Sequence, residues 1–205
     1  MYMKRPCIYV YSQIDLCVWL HRAKIMCGIW ALFGATEDVK LHCMACHKIS
    51  NRGPDAFRIE SIPTFPNSCL GFHRLEINDA VGGMQPMRLL AYPHVRLIYN
   101  GEIYNCREVQ KEYGFNYESR CDGEAIIHLY VRFGAEKTAK MLDGVFAFVI
   151  VDTKERKVFL GRDTFGIRPM FTFLDQGIQT YMAILCQVYG KRLIIIPWRY
   201  QDIHL

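Results

Sequence analysis

The stretch Val95-Arg96-Leu97-Ile98-Tyr99-Asn100-Gly101-Glu102-Ile103-Tyr104-Asn105 decides how this chain is read. Val95, Leu97 and Tyr99 alternate with Arg96 and Ile98, the period-two pattern of a strand with one buried face. The strand is expected to end at Asn100-Gly101, where an amide side chain stands beside a backbone N–H that glycine leaves accessible. Two such donors can form an oxyanion hole. A plain Asn-Gly hairpin turn explains the same two residues, and local sequence alone favours the turn.

Upstream of this stretch, Gly28 to Phe33 is a short apolar run expected as a buried strand. Val39, Cys43, Cys46 and Ile49 then recur at helical spacing and predict an amphipathic helix, which Arg52-Gly53-Pro54-Asp55 breaks. Phe57 and Ile59 alternate with Arg58 and Glu60, and Cys69 to His73 gives another strand. Downstream, helices are expected over 106–113 and 124–133, the second with Ile126, Ile127, Tyr130 and Val131 on one face. Strands return at 145–151 and 157–161. Strands, intervening helices and strands again imply α+β layers.

At 205 residues and 51% hydrophobic content, the chain is long enough for one full core. The net charge of +5 is spread without a basic stripe, so nucleic acid is not an implied partner. Nine cysteines at irregular positions favour reduced thiols and a cytosolic protein. The apolar residues 7–20 come after Lys4 and Arg5, but Gln13 and Asp15 interrupt them and no small-residue cleavage site is found beyond them. Leu193 to Ile196 is stopped by Pro197, so no membrane span is expected. Residues 1–26 share no pattern with the remainder of the chain and are read as an extension outside the fold. The domain is expected over 27–176, with 177–205 a divergent tail lacking clear periodicity.

Cys27 heads the first strand, and a cysteine acts as a nucleophile only where something takes its proton or lowers its pKa. No base lies nearby in sequence, and His42, His47, His73, His94 and His128 have no distinctive spacing. Cys43 and Cys46, flanked by His42 and His47, lack a second pair at zinc-site spacing and fit core packing better than a metal site. Arg74 and Asp122 are residue types suited to the two charged ends of an amino acid.

Seven segments in order, Met26-Cys27-Gly28-Ile29-Trp30, Arg52-Gly53-Pro54-Asp55-Ala56-Phe57, Gly71-Phe72-His73-Arg74-Leu75, Gln85-Pro86, Tyr99 to Asn105, Asp122-Gly123-Glu124 and Gly161-Arg162-Asp163, resemble the class II glutamine amidotransferase domain of the asparagine synthetases. The resemblance covers about residues 26–176. It implies the four-layer αββα sandwich of N-terminal-nucleophile hydrolases. It also implies glutamine hydrolysis through a cysteine thioester. By the same resemblance, Cys27 is the nucleophile, its own α-amine the base, and Asn100 with the Gly101 N–H the oxyanion hole. Arg74 would hold the α-carboxylate of L-glutamine, and Asp122, with help near Glu102, its α-ammonium. The pocket would be completed along Leu75, Glu76, Ile77 and Asn78. This half of the family's reaction needs no cofactor or metal. ATP and magnesium belong to a synthetase domain that uses the ammonia to make asparagine.

The chain departs from that pattern at Asn51, where the resembled family usually has histidine before Arg-Gly-Pro-Asp, and in three larger ways. Cys27 comes after 26 residues, so its nitrogen is an amide and the unprocessed chain is expected to be inactive; translation from Met26 with methionine removal, or cleavage there, would restore the amine. No phosphate loop of the synthetase domain is present, Val81-Gly82-Gly83-Met84 being the nearest match. The tail replaces a family strand, so the C-terminal edge of the sandwich is expected to be incomplete and its stability marginal. Read this way the chain is truncated, and a full-length asparagine synthetase subunit is a candidate partner. The alternatives are an inactive glutamine-binding fragment and a spliced or mispredicted product. A regulatory module acting through Lys191 to Tyr200 would require an exposed apolar patch there.

Overall fold

The computed structural model describes residues 27–34, 46–47, 49–76, 83–174, 181–184 and 200–204. They form two five-stranded antiparallel sheets packed face to face. The first holds β1 (Gly28–Phe33), β2 (Ala56–Ser61), β3 (Cys69–Arg74), β8 (Phe171–Leu174) and β9 (Tyr181–Ile184), in the order β2-β3-β1-β9-β8. The second holds β4 (Met87–Leu89), β5 (Tyr92–Ile103), β6 (Gly144–Asp152), β7 (Lys157–Arg162) and β10 (Tyr200–His204), in the order β10-β7-β6-β5-β4. Helices α1 (Cys106–Tyr113), α2 (Glu124–Phe133) and α3 (Ala135–Met141) connect β5 to β6.

Strand alternation assigns the layers. Along β1, Ile29, Ala31 and Phe33 enter the core between the sheets, where they meet Ile98 of β5 and Ala147, Val149 and Val151 of β6. Trp30 and Leu32 point the other way, onto Cys46, Ile49 and Cys69. In the second sheet Phe146, Phe148 and Ile150 face α2 and α3 together with Leu97 and Tyr99. Because both faces of β1 and β6 are covered, their sequences are apolar runs with little alternation. The α+β class read from sequence is therefore the observed one. The helix expected from Val39, Cys43, Cys46 and Ile49 lies mostly outside the described residues. Among those described, this outer face carries Cys46, Ile49 and a 3-10 turn at Ser50–Arg52.

Three local expectations change. Asn100-Gly101 is not a hairpin turn: β5 continues through it, with Asn100 opposite Ala147 and Gly101 opposite Phe146. Gly101 has φ +147°, and a Cβ there would overlap the backbone of Val145 and Phe146, so only glycine lets the two strands stay paired. In α2, Leu129 rather than Val131 joins Ile126, Ile127 and Tyr130 in the core, and Val131 is exposed. The C-terminal edge expected to be incomplete carries strands from the segment read as a divergent tail. Backbone pairing needs no side-chain pattern, so β9 lies against β1 and β10 against β7 despite their weak sequence signal.

Candidate active site

Cys27 immediately precedes β1, and β3 brings Arg74 and Leu75 alongside it, Leu75 from 48 positions away. The Leu75 N–H donates to the Cys27 sulfur at 3.3 Å, and the Leu75 carbonyl lies 3.5 Å from it as an acceptor for the thiol proton. Arg52 fixes the backbone at the same point, its Nε donating to the Cys27 carbonyl at 3.3 Å. Burial pushes the Cys27 thiol above its usual pKa, against the opposing pull of the Leu75 N–H and the Arg74 and Arg52 charges. The sulfur is therefore protonated at neutral pH until a base is supplied. Gly53 lets the turn after Arg52 lie flat on β3, since a Cβ there would overlap the His73 and Arg74 backbone.

A cavity of about 500 Å³ opens beside this sulfur. Cys27, Arg74, Leu75, Asn100, Gly101, Glu102 and Asp122, all singled out from sequence, line it. Of the three further residues named with them, only Glu76 is among those described. Glu76 is exposed, and its N–H binds Asp55 Oδ2 at 2.7 Å; Ile77 and Asn78 lie outside the described residues.

The two sides of the cavity differ in chemistry. On one, Asn100 is buried and its Nδ2 has no hydrogen-bond partner among the described residues. A buried amide donor left without a partner is costly, so an acceptor that reached this atom would be held favourably. On the other, Asp122 is held rigidly. Its Oδ1 accepts from the Tyr99 hydroxyl at 2.7 Å and its Oδ2 from the Ile103 N–H, which still leaves lone pairs for a cation. Burial, with the neighbouring Cys121 and Asp122 groups, raises the Tyr99 pKa well above the ordinary phenol value, so Tyr99 remains a donor.

Four supporting residues carry no role in the sequence reading. By sequence, Tyr99 is only a core-facing strand position. Gln85, buried beside the cavity, accepts the Tyr99 N–H at 2.6 Å through Oε1 and holds that part of β5 from the side. Asp163, also buried, gathers the N–H groups of Phe146, Phe165, Ile167 and Arg168, which brings Arg168 to the cavity wall. Arg52 adds its bond to the Cys27 carbonyl. Gln85, Asp163 and Arg52 lie within quoted motifs; Gln85 and Arg52 hold backbone 14 and 25 positions away, whereas three of the four N–H groups on Asp163 come from the loop two to five residues further on. Among the described residues no group of three or more His, Cys, Asp or Glu side chains is arranged to hold a metal ion. No described helix is long and apolar enough to cross a membrane.

Comparison with known proteins gives the family and the fold. A family model described as "Glutamine amidotransferase domain" matches residues 26–187, starting one residue before Cys27 and reaching past β9. The glutamine-hydrolyzing asparagine synthetase of Gallus gallus is 56% identical over 153 residues, covering 74% of this chain and 27% of that protein. Those of Rattus norvegicus and Homo sapiens are 50% and 49% identical over 165 residues, covering 80% of this chain and 29% of theirs. The chain thus spans under a third of the length of these relatives. Among solved structures, the allosteric regulatory enzyme of purine biosynthesis superposes with a TM-score of 0.63 at 18% identity, covering 77% of this chain and 41% of that one. Glutamine phosphoribosylpyrophosphate amidotransferase from B. subtilis gives 0.60 at the same identity and coverage. These two establish likeness of fold.

Proposed function

The chain belongs to the glutamine amidotransferase domain family, and on that premise we propose that it hydrolyses L-glutamine at the cavity beside Cys27, once Cys27 is the first residue. The reading rests on one observation above the others. The buried Asn100 Nδ2 lacks a partner among the described residues, and Asn100 lines the same cavity as Cys27. An oxyanion forming on a carbonyl attacked by the Cys27 sulfur would supply the missing acceptor, which is differential stabilisation of the transition state.

In this mechanism the Cys27 α-amine, with an ordinary pKa of about 7.7–8.0, takes the thiol proton as sulfur attacks the side-chain amide carbon. The tetrahedral oxygen is held by Asn100 Nδ2 and the Gly101 N–H. The C–N bond breaks, the amine returns the proton, and ammonia leaves. Water then attacks the Cys27 thioester, releasing glutamate and restoring the thiol. Arg74 holds the substrate α-carboxylate and Asp122 its α-ammonium, with Glu102 adding negative charge at the same end. Leu75 steadies the sulfur through its backbone. The reaction itself requires neither metal nor cofactor.

The catalytic unit is proposed to begin at Cys27, with residues 1–26 removed or not translated; the family match beginning at Met26 supports that start. We further propose that the ammonia serves an ATP- and magnesium-dependent synthesis of asparagine in a synthetase region like that of the longer relatives, on a partner subunit of that family, in the cytosol. A chain starting at Cys27 is expected to release glutamate from glutamine, and its Cys27→Ala variant and the chain starting at Met1 are not. Absence of glutamate release from a folded chain whose first residue is verified as Cys27 would overturn the reading.

A further inference from the structure

Along an antiparallel strand the N–H groups point alternately to one neighbour and to the other, and the N–H and C=O of any one residue point the same way. In β5 this alternation puts Tyr99, Gly101 and Ile103 in one set and Asn100 and Glu102 in the other. The first set faces away from β6. Phe146, which stands opposite Gly101, is turned to β7 instead: its N–H donates to Asp163 Oδ2 at 3.3 Å and its carbonyl accepts the Asp163 N–H at 2.8 Å. Gly101 therefore directs its N–H to the β4 side of β5, and Gly101 lines the Cys27 cavity.

That side of β5 is held on both flanks of Gly101. The Tyr99 N–H goes to Gln85 Oε1 at 2.6 Å and the Ile103 N–H to Asp122 Oδ2, so two side chains from different parts of the chain fix the strand just before and just after it. Gln85 does this in place of a strand. Continuing the Met87–Leu97 register of β4 and β5 by two residues puts Gln85 opposite Tyr99, yet β4 begins only at Met87. At position 85 it is the side-chain amide that takes the N–H. A side chain's length between the two main chains ends the ladder there, and Gln85 and Gly83 line the same cavity as Gly101.

We propose that Gln85 is the positioning residue of the oxyanion hole, setting through its bond to the Tyr99 N–H where Asn100 Nδ2 and the Gly101 N–H stand. The inference rests on the reading of the Cys27 cavity as the site of glutamine hydrolysis. Gln85 acts through β5 rather than on the substrate. It is buried, which shields its bond to Tyr99 from solvent. Oxyanion donors act over a narrow range of distance, and a displacement of about 1 Å costs on the order of 10²-fold in rate.

The test is steady-state glutaminase kinetics of the chain processed to begin at Cys27. Gln85→Met, which keeps the length but removes the acceptor, and Gln85→Asn, which draws it back by one methylene, are each expected to lower kcat at least about tenfold. KM should stay within about threefold, because Arg74 lies on β3 and Asp122 keeps its bonds from the Tyr99 hydroxyl and the Ile103 N–H. Gln85→Glu returns an acceptor oxygen at the same reach and is expected to recover most of the kcat. Circular dichroism and the urea midpoint identify the folded variants, and Gln85→Asn carries the test if Gln85→Met does not fold. The proposal is overturned by a kcat within about twofold of the parent in a folded Met or Asn variant, by a loss confined to KM, or by a loss in Gln85→Glu as large as in Gln85→Met. A parent chain verified to begin at Cys27 that releases no glutamate overturns the functional reading and this role with it; an active parent with undisturbed Gln85 variants overturns the positioning role alone.

Discussion

The Tyr99 hydroxyl donates to Asp122 Oδ1 at 2.7 Å, tying the middle of β5 to the loop that opens α2. With the bond from the Ile103 N–H to Oδ2, it aims the carboxylate assigned to the substrate ammonium. Gly123 makes the approach possible, because a Cβ there would press into the Tyr99 ring.

Removing that hydroxyl should loosen Asp122 without touching the sulfur. For Tyr99→Phe in a chain beginning at Cys27, KM for glutamine is expected to rise about tenfold, the loss of one charge-assisted hydrogen bond. The change in kcat should stay within about twofold, because the oxyanion donors are untouched. Steady-state glutaminase kinetics check this, and a fall in kcat with unchanged KM would count against the assigned role of Asp122.

Asn100→Ala separates catalysis from stability. The amide donor lacks a partner among the described residues, so its loss should leave the urea midpoint close to that of the parent. Its loss from the oxyanion hole should lower kcat about 10²- to 10³-fold. A large drop in midpoint with little change in kcat would instead make Asn100 a structural residue.

The state of the Cys27 thiol is open to direct measurement. Burial raises its pKa, so the thiolate needed for alkylation accumulates only as the pH rises beyond the usual thiol value of 9.0. The rate of Cys27 carboxamidomethylation, followed by mass spectrometry, should have its midpoint above that value. Arg74→Met should move it higher, since that arginine favours the thiolate. A midpoint below the usual thiol value of 9.0 would contradict the assigned desolvation.

His128 ties stability to pH. It lies buried between the Phe115 and Tyr117 rings at 4.9 and 5.2 Å, with Tyr92 edge-on at 5.3 Å. Burial lowers its pKa from 6.5, against the opposing pull of Glu124 and Glu118. Because the folded value is depressed, the unfolded chain takes up the proton first; the stabilisation is full above about 6.5 and is lost as the pH falls below it. His128→Phe is expected to flatten the fall in urea midpoint between about pH 7 and pH 5. An equally steep fall in the variant would assign the acid sensitivity to other groups.

Much of the site is legible in the amino-acid sequence. Motif order and residue chemistry name Cys27, Arg74, Asn100, Gly101 and Asp122, and all five line one cavity. Their supports are not legible there. Gln85 takes the Tyr99 N–H and Asp163 the Phe146 N–H from strands 14 and 17 positions away, so that part of their signal lies in partners remote in the chain. The Asn100-Gly101 pair fails as a turn because the local signal for φ > 0 is the same in a hairpin and in a strand pressed against its neighbour. Val145 and Phe146, on the neighbouring strand β6, decide between them.

The sequence by itself determined the class of fold and the residue types of the chemistry, because strand and helix periods are local and the motifs carry their own order. Tertiary structure decided the rest. It set the Leu75 N–H against the Cys27 sulfur and left Asn100 Nδ2 without a partner among the described residues beside the cavity. It also paired the weakly patterned segments Tyr181–Ile184 and Tyr200–His204 with β1 and β7. Hydrogen bonding between strands uses backbone groups that nearly every residue carries, so which edge is filled, and by what, depends on the assembled sheet rather than on the letters of the strand that fills it.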